Sequence, residues 1–173
     1  LISRVSEDPE DIELIEGLNF TESRVWLLLK NIELQDDQDH ICYMDNRFSS
    51  IQFFSFLRSQ SIGACGTVRT TSRSFPNSLK GDDPTWKKKP WGYIKHVPVG
   101  DVMCILWVDQ GPVRLLTTVH TGEEDETIES LRKRPRTTSS NAASVRSAFG
   151  GEERKMLHNP EIINDYHHLK CGV

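Results

Sequence analysis

The residue best placed to do chemistry is Asp45. It follows the short apolar run His40-Ile41-Cys42-Tyr43-Met44 and precedes Asn46-Arg47-Phe48-Ser49-Ser50. That pattern predicts a buried strand ending at a carboxylate, with a helix starting just beyond it. The carboxyl end of a strand is where α/β sheets gather ligands, and a carboxylate there offers hard oxygen to a divalent cation. Position alone favours a turn or N-cap aspartate ahead of Arg47-Phe48-Ser49.

Two basic stretches suit a different chemistry. Arg132-Lys133-Arg134-Pro135-Arg136 fits a nuclear-localisation signal or a phosphate-contacting arm, and equally a solvated charge run. Trp86-Lys87-Lys88-Lys89-Pro90-Trp91 mixes bases with aromatics that can stack on nucleic acid, or can cover the edge of a β-domain. The cysteines Cys42, Cys65, Cys104 and Cys171 lie far apart with no CxxC pair. Zinc-ligand spacing is therefore lacking, and reduced intracellular thiols are expected. His167-His168 reads as a solvated pair near the end.

The elements that must position these residues follow from hydrophobic period. Thr21-Glu22-Ser23 predicts a helix start, with Val25, Trp26, Leu28, Leu29 and Ile32 as its apolar face. After the strand ending at Asp45, Ser49 or Ser50 caps a helix that buries Ile51, Phe53, Phe54, Phe56 and Leu57. Gly63 is expected to stop it, and Ala64–Val68 to form the next strand. Residues 70–90 read as loop. Tyr93–Val97, Val102–Val108 and Val113–Val119 read as strands, the last two joined through Asp109-Gln110-Gly111-Pro112. Residues 121–148 are polar and expected to be flexible. A short helix, Glu161–Tyr166, follows Pro160.

The chain has 173 residues, 36% hydrophobic and 27% charged, with net charge −4. That is lean in core formers. The mean charge hides local patches, acidic at Glu7–Glu16 and basic in the two runs above. No apolar stretch nears the ~18 residues of a membrane helix, and the acidic amino terminus is unlike a secretory leader. Residue 1 is Leu, so the chain is expected to be a fragment.

Four segments in order resemble piggyBac-type DNA transposases. Tyr43-Met44-Asp45-Asn46-Arg47-Phe48-Ser49-Ser50-Ile51 resembles the family's D-N-x-F-T/S-S segment, which holds its second catalytic aspartate. Gly66-Thr67-Val68-Arg69, with Phe75-Pro76-Asn77-Ser78-Leu79-Lys80, resembles the G-T-V-R strand and following loop. Trp107-Val108-Asp109 through Leu115-Leu116-Thr117-Thr118 resembles the next hairpin. Pro160-Glu161-Ile162-Ile163-Asn164-Asp165-Tyr166 with Gly172-Val173 resembles the P-x-x-I-x-x-Y…G-V-D run.

The resemblance implies an α/β chain, part of an RNase H-like domain with a β-rich insertion. Its expected parts are a partial core over 1–69, the insertion over 70–120, a flexible basic and polar segment over 121–159, and the lead-in to a final acidic helix over 160–173. It implies two-metal DNA cleavage and strand transfer, in which three acidic residues hold two Mg²⁺ ions ~3.5–4 Å apart. Asp45 would be catalytic and a metal ligand. Arg132, Lys133, Arg134, Arg136, Lys87, Lys88 and Lys89 would contact DNA. The family's first aspartate lies upstream of its Asp45 segment, and its last follows the G-V pair directly. Asp37, Asp39, Asp109 and Asp165 sit in no matching motif and read as turn or solvated charges. His167, Lys170 and Cys171 stand where the family usually has Asn, Met and Gly. The family's cysteine-rich zinc module has no counterpart here. The chain alone is thus expected to be inactive, with a nuclear location and a homo-oligomeric full-length form. The alternative expectation is a domesticated, non-catalytic DNA-binding or interaction protein.

Overall fold

A computed structural model describes residues 14–32, 38–80, 88–122, 126–136 and 142–170. The chain divides into two compact units, residues 1–38 and 39–173. In the first, helix α1 spans Phe20–Lys30. Asn19 Oδ1 accepts the Glu22 N–H at 3.0 Å, and Glu22 returns a carboxylate oxygen to the Asn19 N–H at 2.9 Å. This capping box satisfies two end donors reciprocally. It moves the start from the expected Thr21-Glu22-Ser23 back to Asn19, because only Asn19 has a glutamate at the right distance.

The second unit is built on a five-stranded sheet. Strand β1 (His40–Met44) leads through helix α2 (Ile51–Ser59) to β2 (Ile62–Thr67). A short helix α3 (Asn77–Lys80) precedes β3 (Ile94–Val99), β4 (Val102–Val108) and β5 (Pro112–Thr117). The spatial order is β1-β2-β5-β4-β3. β1 and β2 run parallel, as a strand–helix–strand crossover requires, whereas β2–β5, β5–β4 and β4–β3 are antiparallel. Residues 70–120 therefore supply three strands that continue the sheet of β1 and β2.

Ser50 caps α2 by accepting the Phe53 N–H at 3.0 Å. The helix ends at Ser59, and Ser61 turns the chain with φ of 60°. The expected stop at Gly63 is thus corrected: Gly63 lies inside β2. A Cβ there would come within 2.5 Å of Val119 Cγ1, so its role is close packing rather than helix termination.

Both sheet faces are covered. Cys65, Ile105, Trp107 and Leu115 pack with Ile162, Ile163 and Tyr166 of the last helix, α5 (Glu161–Leu169). The alternate side chains Cys104, Leu106 and Leu116 point to the opposite face, where α2 buries Phe53, Phe54 and Leu57 and α3 buries Leu79. Phe56, expected inward, is only half-buried. Every residue of β4 except Met103 is buried, the mark of a central strand covered on both sides.

Within the segment over 121–159 expected to be flexible, the described residues include regular structure. Strands β6 (Thr127–Lys133) and β7 (Arg154–Pro160) form an antiparallel ribbon registered from Thr127↔Pro160 to Lys133↔Arg154. Between them lie helix α4 (Ala142–Arg146) and a 3₁₀ turn, Ser147–Phe149. The more hidden positions of this ribbon include Ser130, Arg132, Lys155 and Asn159. Its period of two is written largely in polar residues, which hydropathy does not register. Asn159 hydrogen-bonds Ser130 across the ribbon.

The ribbon is tied to the sheet through Asp109. Its carboxylate accepts the Trp91 indole N–H at 3.0 Å and an Arg132 guanidinium N–H at 2.6 Å. Arg132 lies over the Trp107 ring at 5.7 Å, and Trp91 meets Trp107 and Phe149 edge-on at 5.8 and 6.4 Å. Asp109→Ala strands two donors in half-buried surroundings and is expected to cost about 1–3 kcal/mol in urea unfolding. The exposed Glu153→Ala should stay within about 0.5 kcal/mol of the parent.

Candidate functional site

Parallel pairing brings the carboxyl ends of β1 and β2 to one edge, with Met44 opposite Gly66. Asp45 is the first residue beyond β1. Its peptide carbonyl accepts the Phe48 N–H and the Ser49 hydroxyl, each at 3.0 Å. One carboxylate oxygen faces the Arg47 N–H at 3.4 Å, and the side chain is otherwise exposed. The turn thus fixes the backbone of Asp45 while presenting its carboxylate to solvent.

Gly66 makes this turn possible. A Cβ at that position would lie 2.4 Å from Met44 O and 2.6 Å from Ser49 Oγ. Three residues on, Arg69 donates its Nε–H to Asn46 Oδ1 at 3.0 Å. The 43–51 and 66–69 segments, separate in sequence, therefore meet as one structure: Gly66 seats the buried Ser49, and Arg69 holds Asn46. Sequence reading did not assign Ser49 or Gly66 these roles; the signal was their recurrence in two neighbouring motifs.

The acids that fall outside the motifs have settings of their own. Asp39 precedes β1, so a five-residue strand of ~16 Å separates it from Asp45. Asp109 is engaged with Arg132 and Trp91. Asp165 on α5 pairs with the nearly buried His120 at 3.1 Å, whose other ring nitrogen lies 3.0 Å from Thr117 Oγ1. Asp37 lies outside the described residues. Burial, with the Asp165 charge adding, pushes Cys65 up to about 12, and burial alone does so for Cys104. Both thiols stay protonated near neutrality and are poor nucleophiles and ligands. Tyr43, beside Cys65, is raised to about 12 by burial and then by Cys65 and Asp165.

The basic residues separate by environment. Arg132 is held by Asp109 and does not present its charge outward. Lys133 is exposed and 3.8 Å from Glu153. Arg134 donates to the Gly151 carbonyl at 2.7 Å, and Arg136 is exposed. Lys88 is exposed, whereas Lys89 rests 4.4 Å over the Tyr93 ring. Lys87 and Trp86 lie outside the described residues, and Trp91 packs against Trp107. His168 donates Nδ1–H to Asn164 O at 2.8 Å. His167 is pushed below the ordinary imidazole value by partial burial, then by Lys170 and Arg132.

The family model described as transposase IS4 matches residues 9–170. The chain belongs to that family. This transposase-family chain also resembles a solved piggyBac transposase, from a cryo-EM structure of its synaptic complex with hairpin DNA. The TM-score is 0.56 at 19% identity, over 90% of this chain and 26% of that one. The chain thus spans about a quarter of that transposase and shares its mixed α/β fold over that span. No curated protein matches it. The piggyBac-type resemblance of the motifs and the family assignment agree.

Membership in a transposase family implies divalent-metal chemistry, and the residues present can be tested against it. Among the described residues, no group of three or more His, Cys, Asp and Glu side chains is placed to hold a metal ion. Asp45 alone does not make a two-metal centre, so the described residues do not fit the complete group. Among them, no helix is long and apolar enough to cross a membrane.

The close approach at Gly66 yields a stability test. Gly66→Ala must push Ser49 or the Met44 carbonyl aside and is expected to cost about 1–3 kcal/mol in urea unfolding. Gly111→Ala, with no atom within 4 Å of the added methyl, should be near neutral.

Proposed function

We propose that this chain is a segment of the RNase H-like catalytic domain of a piggyBac-type DNA transposase. In this reading Asp45 is a metal-liganding carboxylate, residues 70–120 correspond to the family's β-rich insertion, and the chain acts on DNA in the nucleus. The observation that carries it is the convergence of the 43–51 and 66–69 motifs on one sheet edge, with Asp45 exposed at their meeting point.

The same geometry limits what the chain does. Strand cleavage by two Mg²⁺ ions ~3.5–4 Å apart needs carboxylates from several elements. Asp45 by itself would leave each ion short of oxygen ligands, since magnesium prefers octahedral coordination, and the described residues bring no group of three or more ligands together. As this 173-residue chain, the protein is proposed to be inactive in cleavage, with assembly into a homo-oligomer belonging to the longer family members. The exposed Lys133, Arg136 and Lys88 favour a second reading, a domesticated DNA-binding or interaction protein without catalysis.

Supercoiled plasmid incubated with the chain and Mg²⁺ or Mn²⁺ is expected to stay intact, as judged on an agarose gel. Nicking by the parent chain that disappears in Asp45→Ala would overturn the inactive reading and establish Asp45 as catalytic.

A further inference from the structure

The ribbon gathers charge that the linear sequence scatters. At the end where β6 leaves and β7 returns, Lys133 faces Arg154 in register. The connection carries Arg134, Arg136 and Arg146, and Lys155 follows in β7. These six cations share the region with only two described acids, Glu152 and Glu153. In this region the sequence pointed only to the 132–136 run. It included Arg132, which the fold spends on Asp109, and omitted Arg146, Arg154 and Lys155.

The manner in which these cations are held matters more than their number. Arg134 donates to Gly151 O at 2.7 Å, Arg146 to Pro135 O at 2.8 Å and Lys155 to Ala148 O at 2.9 Å. Each partner is a neutral carbonyl, which fixes the side chain without cancelling its charge. Lys133, Arg136 and Arg154 are exposed, and the Lys133–Glu153 approach of 3.8 Å is a surface pair of little energy. Three cations are thus pre-positioned and three are presented to solvent. Such a field at one end of a protein whose net charge is negative attracts a polyanion.

We propose that this end of the β6–β7 ribbon is a docking surface for the phosphate backbone of duplex DNA. The proposal rests on the DNA-acting reading above and names the surface that would meet the duplex. A two-stranded ribbon has the width that the major groove admits. Arginine forks match phosphate oxygens, and pre-positioned side chains lose less freedom on binding. Contacts of this kind set affinity and register without reading sequence.

The test uses the whole chain and a fluorescent duplex of about 20 base pairs, with anisotropy followed from about 50 to 200 mM salt. The triple variant Lys133→Ala, Arg136→Ala, Arg154→Ala removes the solvent-facing cations without touching a fold-holding contact. Its slope of log affinity against log salt is expected to shrink by about 2–3, at about 0.9 per phosphate lost. The charge-preserving triple Lys133→Arg, Arg136→Lys, Arg154→Lys should restore the slope. Removing three exposed bases elsewhere, Lys30, Arg58 and Arg73, should leave it unchanged. A parent chain that binds duplex while the alanine triple keeps the same slope would overturn the docking surface and leave the DNA-acting reading standing. A parent chain that fails to bind duplex even at low salt would overturn both. Binding of anionic phospholipid vesicles through these residues, with duplex binding unaffected, would overturn the assignment to DNA.

Discussion

Much of this molecule depends on a missing atom. With no Cβ at position 66, the turn after β1 can settle against β2, bringing the Met44 carbonyl and the Ser49 hydroxyl to where a methyl group would otherwise stand. That contact places the Asp45 turn, which in turn sets the start of α2 at Ser50. The helix then lies across the sheet with Phe53, Phe54 and Leu57 beneath it. A larger residue at 66 would disturb the pairing of β1 with β2, the seat of Ser49 and the outlook of the carboxylate together. Parallel strands have their carboxyl ends on one side of a sheet, so the same pairing that closes the core also assembles the candidate site.

A second constraint operates on the other side of the unit. Asp109 sits at the β4–β5 turn, where an aspartate needs no tertiary reason. Here it accepts hydrogen bonds from Trp91 and Arg132 and fastens the ribbon to the sheet. Trp91, Trp107 and Phe149 close around that junction. Arg132 is removed from the solvent-facing charge by this pairing, while its neighbours in the run stay outside. The ribbon can therefore be both a covered structural element and the carrier of a basic end. His120 plays a comparable part between the end of β5 and α5, bridging Thr117 and Asp165.

These two junctions bear differently on function. At the Asp45 edge the carboxylate is displayed while its backbone is fixed, and in the proposed reading it would be one corner of a metal-dependent site. Of the acids outside the motifs, Asp109 is engaged with Arg132 and Trp91, and Asp165 with His120. The proposed docking of a phosphate backbone at the basic ribbon end would need no metal and no second carboxylate, since it rests on charge and shape. In the proposed reading, binding and cutting would be separable, because the proposed docking surface uses described residues whereas a metal centre would need more ligands than they bring together.

Periodicity and motif order in the sequence were enough to determine the strand His40–Met44, the helix behind Ser50, the β4–β5 hairpin, the helix after Pro160 and the resemblance that singled out Asp45. These are local features, decided by alternation, caps and turn residues within a few positions of one another. Tertiary structure alone decided that residues 94–117 continue the sheet of β1 and β2, and that residues 127–133 pair with 154–160. It also decided that Arg132 turns inward while Arg154 and Arg146 join the basic end. The strand pairings and the Arg132 contact depend on partners 20 or more residues away, and Arg146 on one 11 residues away. In the ribbon, polar residues occupy most of the hidden positions, so burial there followed hydrogen bonding and ion pairing more than hydropathy, and a linear pattern of apolar residues could not carry that information.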